Sequence, residues 1–136
     1  MTAQKLLLAL VLTSVFIACT NSTIEPTISF DDHECSSSDP ANWPAGALTI
    51  DVSNNTNTRG AVVIGTYSNG FGHDDLVAYG SDVTTRPSFI EALEIFETFP
   101  GTTSSLLFDH GPGTYFMVCM PDNNTMVVLH DVTIEG

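Results

Sequence analysis

Two sulfur-containing side chains near the C-terminus could act together as copper ligands. Cys119 ends the run GTYFMVC, which begins at Gly113, and Met126 follows seven residues later. A type 1 copper site uses one thiolate, two imidazoles and usually a weakly bound methionine thioether. No histidine lies between Cys119 and Met126. The four histidines of the chain are His33, His73, His110 and His130. A thiolate and a thioether are therefore present without an evident pair of imidazoles.

Two acidic clusters are the other candidates for metal or acid–base chemistry. They are DDHE, from Asp31 to Glu34, and HDD, from His73 to Asp75. Neither cluster completes the ligand set of a zinc or calcium site, and such clusters are common in acidic loops. The chain also lacks the Gly-x-Ser-x-Gly, Cys-x-x-Cys, His-Glu-x-x-His and glycine-rich phosphate-binding motifs. We predict no catalytic residue, no metal and no other cofactor, and we keep calcium or partner binding by the acidic loops as an alternative.

The N-terminal residues have the features of an export signal. A single lysine, Lys5, precedes an apolar run from Leu6 to Ala18, which is too short to span a bilayer. The sequence FIAC, ending at Cys19, resembles a bacterial lipobox, in which the cysteine becomes lipidated. We predict a lipoprotein signal peptide over residues 1–18, a lipid anchor at Cys19, a polar tether over residues 19–27 and one domain over residues 28–136. The predicted location is the cell membrane or envelope, on the extracytoplasmic side. An ordinary secretory signal is the alternative.

The charge of the mature chain excludes one class of partner. Once the signal is removed, two arginines, Arg59 and Arg86, face sixteen acidic residues, which gives a net charge of −14. Such a surface repels nucleic acids and anionic lipid headgroups. We predict no nucleic-acid partner and contact with the membrane only through the lipid, while a protein or small-molecule partner stays unidentified. The acidic residues are scattered, which is typical of a soluble surface.

Short apolar runs separated by turn residues predict five to seven β-strands. TISFDDHEC, ending at Cys35, is predicted as one short first strand. In the next strand Leu48, Ile50 and Val52 share one face. AVVIGTY, TYFMVCM and MVVLHDVTIEG are predicted as further strands, and SNGFGHDD as a loop. Strands in this number indicate a β-sandwich.

One helix is predicted within the β pattern, over about residues 86–99. Pro87 lies at its start, and Ser88 and Glu91 have capping-box spacing. The apolar positions recur every three or four residues, as on one face of a helix. They are Phe89, Ala92, Leu93, Phe96 and Phe99.

Three stretches of the chain resemble cupredoxin-like domains, from about Thr27 to Glu135. PAGALTIDVSNN, starting at Pro44, is similar to the turn and apolar strand that open such domains. HGPGTYFMVC, ending at Cys119, is similar to the strand that carries the copper cysteine, and VVLHDVTIEG is similar to the closing strand. The resemblance implies an all-β, cupredoxin-like Greek-key β-sandwich with the predicted helix inserted.

A subgroup of exported bacterial proteins with this fold has no obvious copper site, and the chain resembles it most. The resemblance implies a disulfide between Cys35 and Cys119, because the subgroup has cysteines in these two places. The segments that supply the imidazoles in copper-binding members correspond to residues 53–60 and 120–125, and neither contains histidine. A disulfide sulfur cannot also be the copper thiolate, so the two interpretations exclude each other. We expect a lipid-anchored, copper-free binding or structural module. An electron-transfer or copper-carrier protein with displaced ligands is the alternative.

Overall fold

Ten β-strands and one short α-helix form the regular structure of the residues described by the computed structural model. These residues are 25–32, 34–38, 41–81, 84–122 and 124–136. The elements are β1 (Thr27–Asp31), β2 (Glu34–Ser37), β3 (Asn42–Trp43), β4 (Leu48–Asn54), β5 (Gly60–Tyr67), α1 (His73–Tyr79), β6 (Ile90–Thr98), β7 (Thr102–Phe108), β8 (Gly113–Asp122), β9 (Thr125–Val128) and β10 (Val132–Ile134). The signal peptide, Cys19 and most of the tether predicted from the sequence lie outside the described residues.

The strands form two sheets that pack face to face. The first sheet has the order β2-β1-β4-β7, and the second has the order β3-β10-β8-β5-β6, with β9 also paired to β8. β1 runs parallel to β4, and β3 runs parallel to β10. The chain crosses repeatedly between the sheets, so that sequence neighbours such as β3 and β4 lie in different layers. This architecture is the cupredoxin-like β-sandwich that the resemblance implied, and its one α-helix lies at a different place from the predicted helix.

The core lies between the two sheets and follows the predicted alternation. Ile50 of β4 and Phe108 of β7 are buried from the first sheet, and Ile64 and Met117 face them from the second. Trp43 closes one edge of the core, with its ring centroid 5.6 Å from that of Phe108. Burial of side chains on alternate positions of β4 is the result expected for strands with one face toward a core.

The predicted first strand is two strands. The segment from Thr27 to Cys35 turns back on itself, and β1 pairs antiparallel with β2, with Phe30 opposite Cys35. Cys35 therefore lies on an outer strand of the first sheet, since β2 pairs with β1 alone.

The helix predicted over residues 86–99 is wrong, because most of this segment is β6. β6 forms an antiparallel ladder with β5 over its full length. A bulge explains the misleading apolar spacing. Ile64 pairs with Glu94 and Gly65 pairs with Ala92, so Leu93 is an extra residue in β6. The extra residue brings Leu93 and Phe96, three positions apart, onto the same core side, as a helix would.

Gly65 makes the bulge possible. A Cβ atom at position 65 would lie 1.9 Å from the backbone oxygen of Glu91, so only glycine fits against the displaced strand. Isolated glycines inside strands often mark such close approaches of the backbone. Packing and the ladder with β5 therefore outweigh the helical periodicity of the β6 sequence.

The helix of the structure, α1, lies in the segment predicted as a loop. It is seven residues long and is preceded by Gly72, whose backbone N–H donates to Asp75 Oδ2 at 2.8 Å. Leu76 is its one buried side chain, and it packs with Phe116, Val118 and Met126 on the outer face of the second sheet. One buried residue in seven gives no periodic signal that a sequence pattern could reveal. Within the described ranges, no helix is long and apolar enough to cross a bilayer.

Candidate functional site

The cysteine that resembles a copper ligand is bound to another cysteine. Cys119 lies near the C-terminal end of β8, with its side chain fully buried between the sheets. A disulfide joins it to Cys35 of β2, and the two Cα atoms are 6.4 Å apart. Because β2 belongs to the first sheet and β8 to the second, the bond links the two layers. The predicted pair is present, and Cys119 has no free thiolate in this state.

Met126, which has the sequence spacing of a copper ligand relative to Cys119, lies on the other side of the sheet. β8 alternates, so that Met117 and Cys119 belong to the core between the sheets, while Phe116 and Val118 face outward. Met126 packs with the outward set under α1. The sulfur atoms of Cys119 and Met126 are therefore on opposite faces of the second sheet. Their spacing in the sequence does not produce a shared site.

Hydrogen bonds occupy the loop where an imidazole would be expected after β4. Asn54 is fully buried, and its Nδ2 donates to Thr58 O at 2.9 Å and to Thr98 Oγ1 at 3.0 Å. Its Oδ1 accepts from the backbone N–H and the hydroxyl of Thr56, at 3.0 and 2.7 Å. Thr58 Oγ1 then donates to Pro121 O at 3.0 Å, which joins this loop to the segment after Cys119. This end of the sandwich is a closed polar network built from amide and hydroxyl groups.

The described histidines do not converge on one point. His73 Nδ1 lies 3.2 Å from Asp131 Oδ1, and His110 Nε2 lies 3.0 Å from Glu94 Oε1. His130 has a buried Nε2 that forms no hydrogen bond with the described residues. Each imidazole is thus in a separate environment.

The residues present do not fit a type 1 copper ion. Cys119 is in a disulfide, Met126 faces away from it, and Asn54 fills the polar positions after β4. His33 lies outside the described residues. Among the residues that are described, no three His, Cys, Asp or Glu side chains are grouped to hold a metal ion.

The two acidic clusters have local structural roles. Asp31 Oδ1 accepts from Asn55 Nδ2 at 3.0 Å, which connects β1 to the end of β4. In the second cluster Asp75 accepts from the N–H of Gly72 at the start of α1, and His73 turns toward Asp131. Asp31 and Asp75 therefore each form a local structural hydrogen bond.

An open cleft of about 490 Å³ lies at the opposite end of the strands from the disulfide. The loop between β5 and α1, the start of β8 and the residue before β10 form its walls. The lining residues are Thr66, Tyr67, Ser68, Asn69, Gly70, Phe71, Gly72, Pro112, Gly113, Thr114, Tyr115 and Asp131. Volumes of about 300–1,000 Å³ are usual for sites that bind small molecules.

One carboxylate organises the cleft. Asp131 Oδ1 accepts a hydrogen bond from the Tyr67 hydroxyl at 2.7 Å and one from His73 Nδ1 at 3.2 Å. Burial raises the pKa of the Tyr67 phenol far above its usual range, and the hydrogen bond to Asp131 and the negative charges of Asp131 and Asp75 raise it further. Tyr67 is therefore a permanent donor to Asp131 at physiological pH.

Sequence reasoning missed Tyr67 and Asp131. Tyr67 ends an apolar strand and Asp131 precedes another, so each looks like an ordinary strand boundary. They are 64 residues apart in the chain and come together only because β5 and β10 flank β8 in the second sheet. His73 was singled out, but for its neighbours in the sequence rather than for Asp131.

Comparisons with known proteins give no family assignment. No protein-family model matches the chain, and no curated protein matches it. Among solved structures, the chain is similar to sodium-dithionite-reduced auracyanin from the photosynthetic bacterium Roseiflexus castenholzii. The two are 17% identical, with a TM-score of 0.48, over 81% of this chain and 95% of auracyanin. A likeness of this strength carries no argument about metal or function, so the fold assignment rests on the strand order.

Proposed function

We propose that the chain is a lipid-anchored, copper-free binding module of the bacterial cell envelope, without enzyme activity. The observation that carries the proposal is the Cys35–Cys119 disulfide, which uses the only thiol at the end of β8 for a covalent link between the sheets. The same end is closed by the Asn54 network instead of imidazoles. The open cleft at the other end provides a place for a ligand.

The proposed location follows from the N-terminal signal and the disulfide. Disulfides persist mainly in exported proteins, because the cytosol keeps thiols reduced. The lipobox-like sequence before Cys19 supplies the anchor in this proposal. A net charge of −14 leaves the lipid as the means of membrane attachment, since anionic headgroups repel the domain.

The copper part of the proposal can be tested on mature protein purified in an uncharged detergent. Thiol titration after unfolding should find no free thiol at Cys35 or Cys119. Addition of Cu(II) should give no intense visible band from a thiolate-to-copper transition. A blue product from the unmodified protein would overturn the proposal.

The variant Cys35→Ser is the matched control, because it frees the Cys119 thiol and leaves all other candidate ligands in place. We expect this variant also to stay colourless, since two imidazoles are still missing. An intense band in Cys35→Ser alone would show that the disulfide hides a working copper site. The copper-carrier alternative would then replace the proposed function.

The anchor is tested by Cys19→Ser. We expect this variant to move from the membrane fraction to the soluble extracytoplasmic fraction, because stable anchoring needs the acyl chains. The variant Ser22→Ala, within the predicted tether, should stay in the membrane fraction. Sedimentation of Cys19→Ser with the membranes would contradict lipid anchoring.

A further inference from the structure

We propose that the open cleft around Asp131 binds a small organic cation, an alkylammonium or guanidinium compound, between the Asp131 carboxylate and the ring of Phe71. This inference rests on the proposed binding function, because it names the binding site and the class of ligand. The copper experiment and the experiment below can fail separately.

The negative charge of the cleft lining favours a positively charged ligand. Asp131 is the one charged residue among those that line the cleft, and no arginine or lysine is among them. Arg59 lies 3.8 Å from Glu97, and Arg86 lines a different groove. The sixteen acidic residues of the chain add a negative field that concentrates cations near the surface. An anionic ligand would therefore meet repulsion without any compensating group in the cleft.

Two hydrogen bonds fix the Asp131 carboxylate through one of its oxygens and leave the other oxygen able to accept. Both the Tyr67 hydroxyl and His73 Nδ1 donate to Oδ1. Within the described part of the chain, Oδ2 forms no hydrogen bond, and the side chain is 23% exposed. A carboxylate fixed by two donors and partly open to the cleft can accept a charge-assisted hydrogen bond from an ammonium group with little loss of entropy.

Phe71 provides the second contact. Its ring is 49% exposed, although a phenyl ring is costly to leave in water. The covered face is stacked on Phe89, with the ring centroids 4.8 Å apart and the planes 11° apart. Tyr79 packs edge-on against Phe89, with the ring centroids 6.2 Å apart. The aromatic stack therefore supports one face of the Phe71 ring and leaves its exposed part available for a cation–π contact.

The combination distinguishes this cleft from the apolar groove beside Met120. That groove, of about 230 Å³, is lined mainly by aliphatic residues and methionines. The cleft instead pairs an aromatic surface with a fixed carboxylate, and Thr66, Ser68 and Asn69 add polar groups. Paired aromatic and anionic groups are what a cation with a short alkyl part requires.

The experiment compares three probes of equal length and different charge: 1-butylammonium, 1-butanol and butyrate. Each is titrated into mature protein in an uncharged detergent at fixed ionic strength, and binding is followed by the amide NMR resonances. We expect saturable shifts with butylammonium at residues 68–72, at Gly113 and at Asp131. Butanol should bind at least about tenfold more weakly, because it lacks the charge, and butyrate should not bind.

Two variants and one control locate the site. Asp131→Asn keeps an acceptor for Tyr67 but removes the charge, and should weaken butylammonium binding about tenfold. Phe71→Leu keeps an apolar side chain at this half-exposed position but removes the aromatic ring, and should weaken butylammonium binding about threefold. Asp109→Asn removes the same charge from an exposed aspartate outside the cleft lining, and should leave the affinity within about twofold.

Three outcomes would overturn the inference. They are equal binding of butanol and butylammonium, saturable shifts confined to residues outside the cleft, and equal effects of Asp109→Asn and Asp131→Asn. A second titration uses Nα-acetyl-lysine N-methylamide, which imitates a lysine residue within a protein chain. It distinguishes a small amine from a protein lysine as the source of the cation. Weaker binding of this probe than of butylammonium supports a small-molecule ligand. Tighter binding would contradict a small-molecule ligand and point to a protein lysine.

Discussion

The two ends of the sandwich use their polar side chains in opposite ways. At the end near the disulfide, the amide of Asn54 satisfies four hydrogen bonds with threonine residues and backbone, and Thr58 closes the loop against Pro121. At the other end, Tyr67 and His73 both donate to one oxygen of Asp131, beside an open cleft. Asn54 is fully buried with both of its amide atoms hydrogen-bonded, whereas Oδ2 of the partly exposed Asp131 has no hydrogen bond within the described residues.

This difference indicates where the fold has kept room for a ligand. A fully satisfied polar network stabilises and specifies a structure, because every lost hydrogen bond leaves a buried group unpaired. A network with spare capacity beside an open volume can exchange water for a ligand. The comparison therefore supports the proposal that the end resembling a copper site is structural and that the cleft at the other end is the binding site.

The largest expected effect comes from opening the disulfide at the closed end. In the chain-entropy account, a bond across 84 residues stabilises the folded state by roughly 4–5 kcal/mol. Cys35→Ser should lower the free energy of unfolding by about this amount relative to the oxidised parent protein, as measured by chemical denaturation. Ser36→Ala, on the same strand, should change it by less than about 0.5 kcal/mol. A loss below about 1 kcal/mol for Cys35→Ser would show that the closed end does not depend on the disulfide.

A smaller effect is expected from Asn54→Ala. The change leaves Thr98 and the loop after β4 without their buried partner, which should cost about 2–4 kcal/mol of unfolding free energy. Asn55→Ala is the matched control, because the exposed side chain of Asn55 donates to Ser29 and Asp31, and its backbone bond to Phe30 is kept in the variant. It should cost no more than about 1 kcal/mol. Equal effects of the two substitutions would contradict the closed network.

The smallest effect is expected at the open end and depends on pH. The folded-state pKa of Tyr67 is raised above its unfolded value, so the folded protein retains this proton longer than the unfolded chain. The resulting stability is fully present below about pH 10, the unfolded pKa, and is lost as the pH rises further, by at most about 1.4 kcal/mol per pH unit.

Tyr67→Phe isolates this effect. The variant should cost about 1 kcal/mol at neutral pH, where one hydrogen bond is lost. Between pH 10 and about 11.5, its stability should fall less steeply than that of the parent protein. Asp131→Asn should also reduce the slope, because it removes the negative charge that opposes ionisation of Tyr67. If the unfolding free energy fell with pH at the same rate in the parent protein and both variants, the coupling of Tyr67 to Asp131 would be contradicted.

The sequence predicted the closed end better than the open one. The strand pattern of β4 and β8 and the two cysteines are local signals, and the resemblance to copper-free cupredoxin-like proteins implied the Cys35–Cys119 pair. The disulfide and the two-sheet sandwich are confirmed. The lipid anchor at Cys19 stays a prediction, since it lies outside the described residues.

The helix and the cleft could not be read from local patterns. The bulge at Leu93 gives β6 apolar side chains at helical spacing, and it depends on the approach of Gly65 from another strand. The short α1 is fixed by Leu76 packing on the sheet rather than by its own periodicity. Asp131 and Tyr67 meet across 64 residues. In each case the deciding contact joins segments far apart in the sequence, which no short window of the sequence contains.

The position of the disulfide also decides how the domain would respond to mechanical force. If the chain is held before β1 and pulled from its C-terminal end, tension passes from Cys35 directly to Cys119. Only β1, the start of β2 and the chain after Cys119 lie on this path. The segment between the cysteines, which includes β5, α1 and β6, is bypassed and bears no load. The disulfide thus protects most of the sandwich from extension, and it limits unravelling to the two terminal segments.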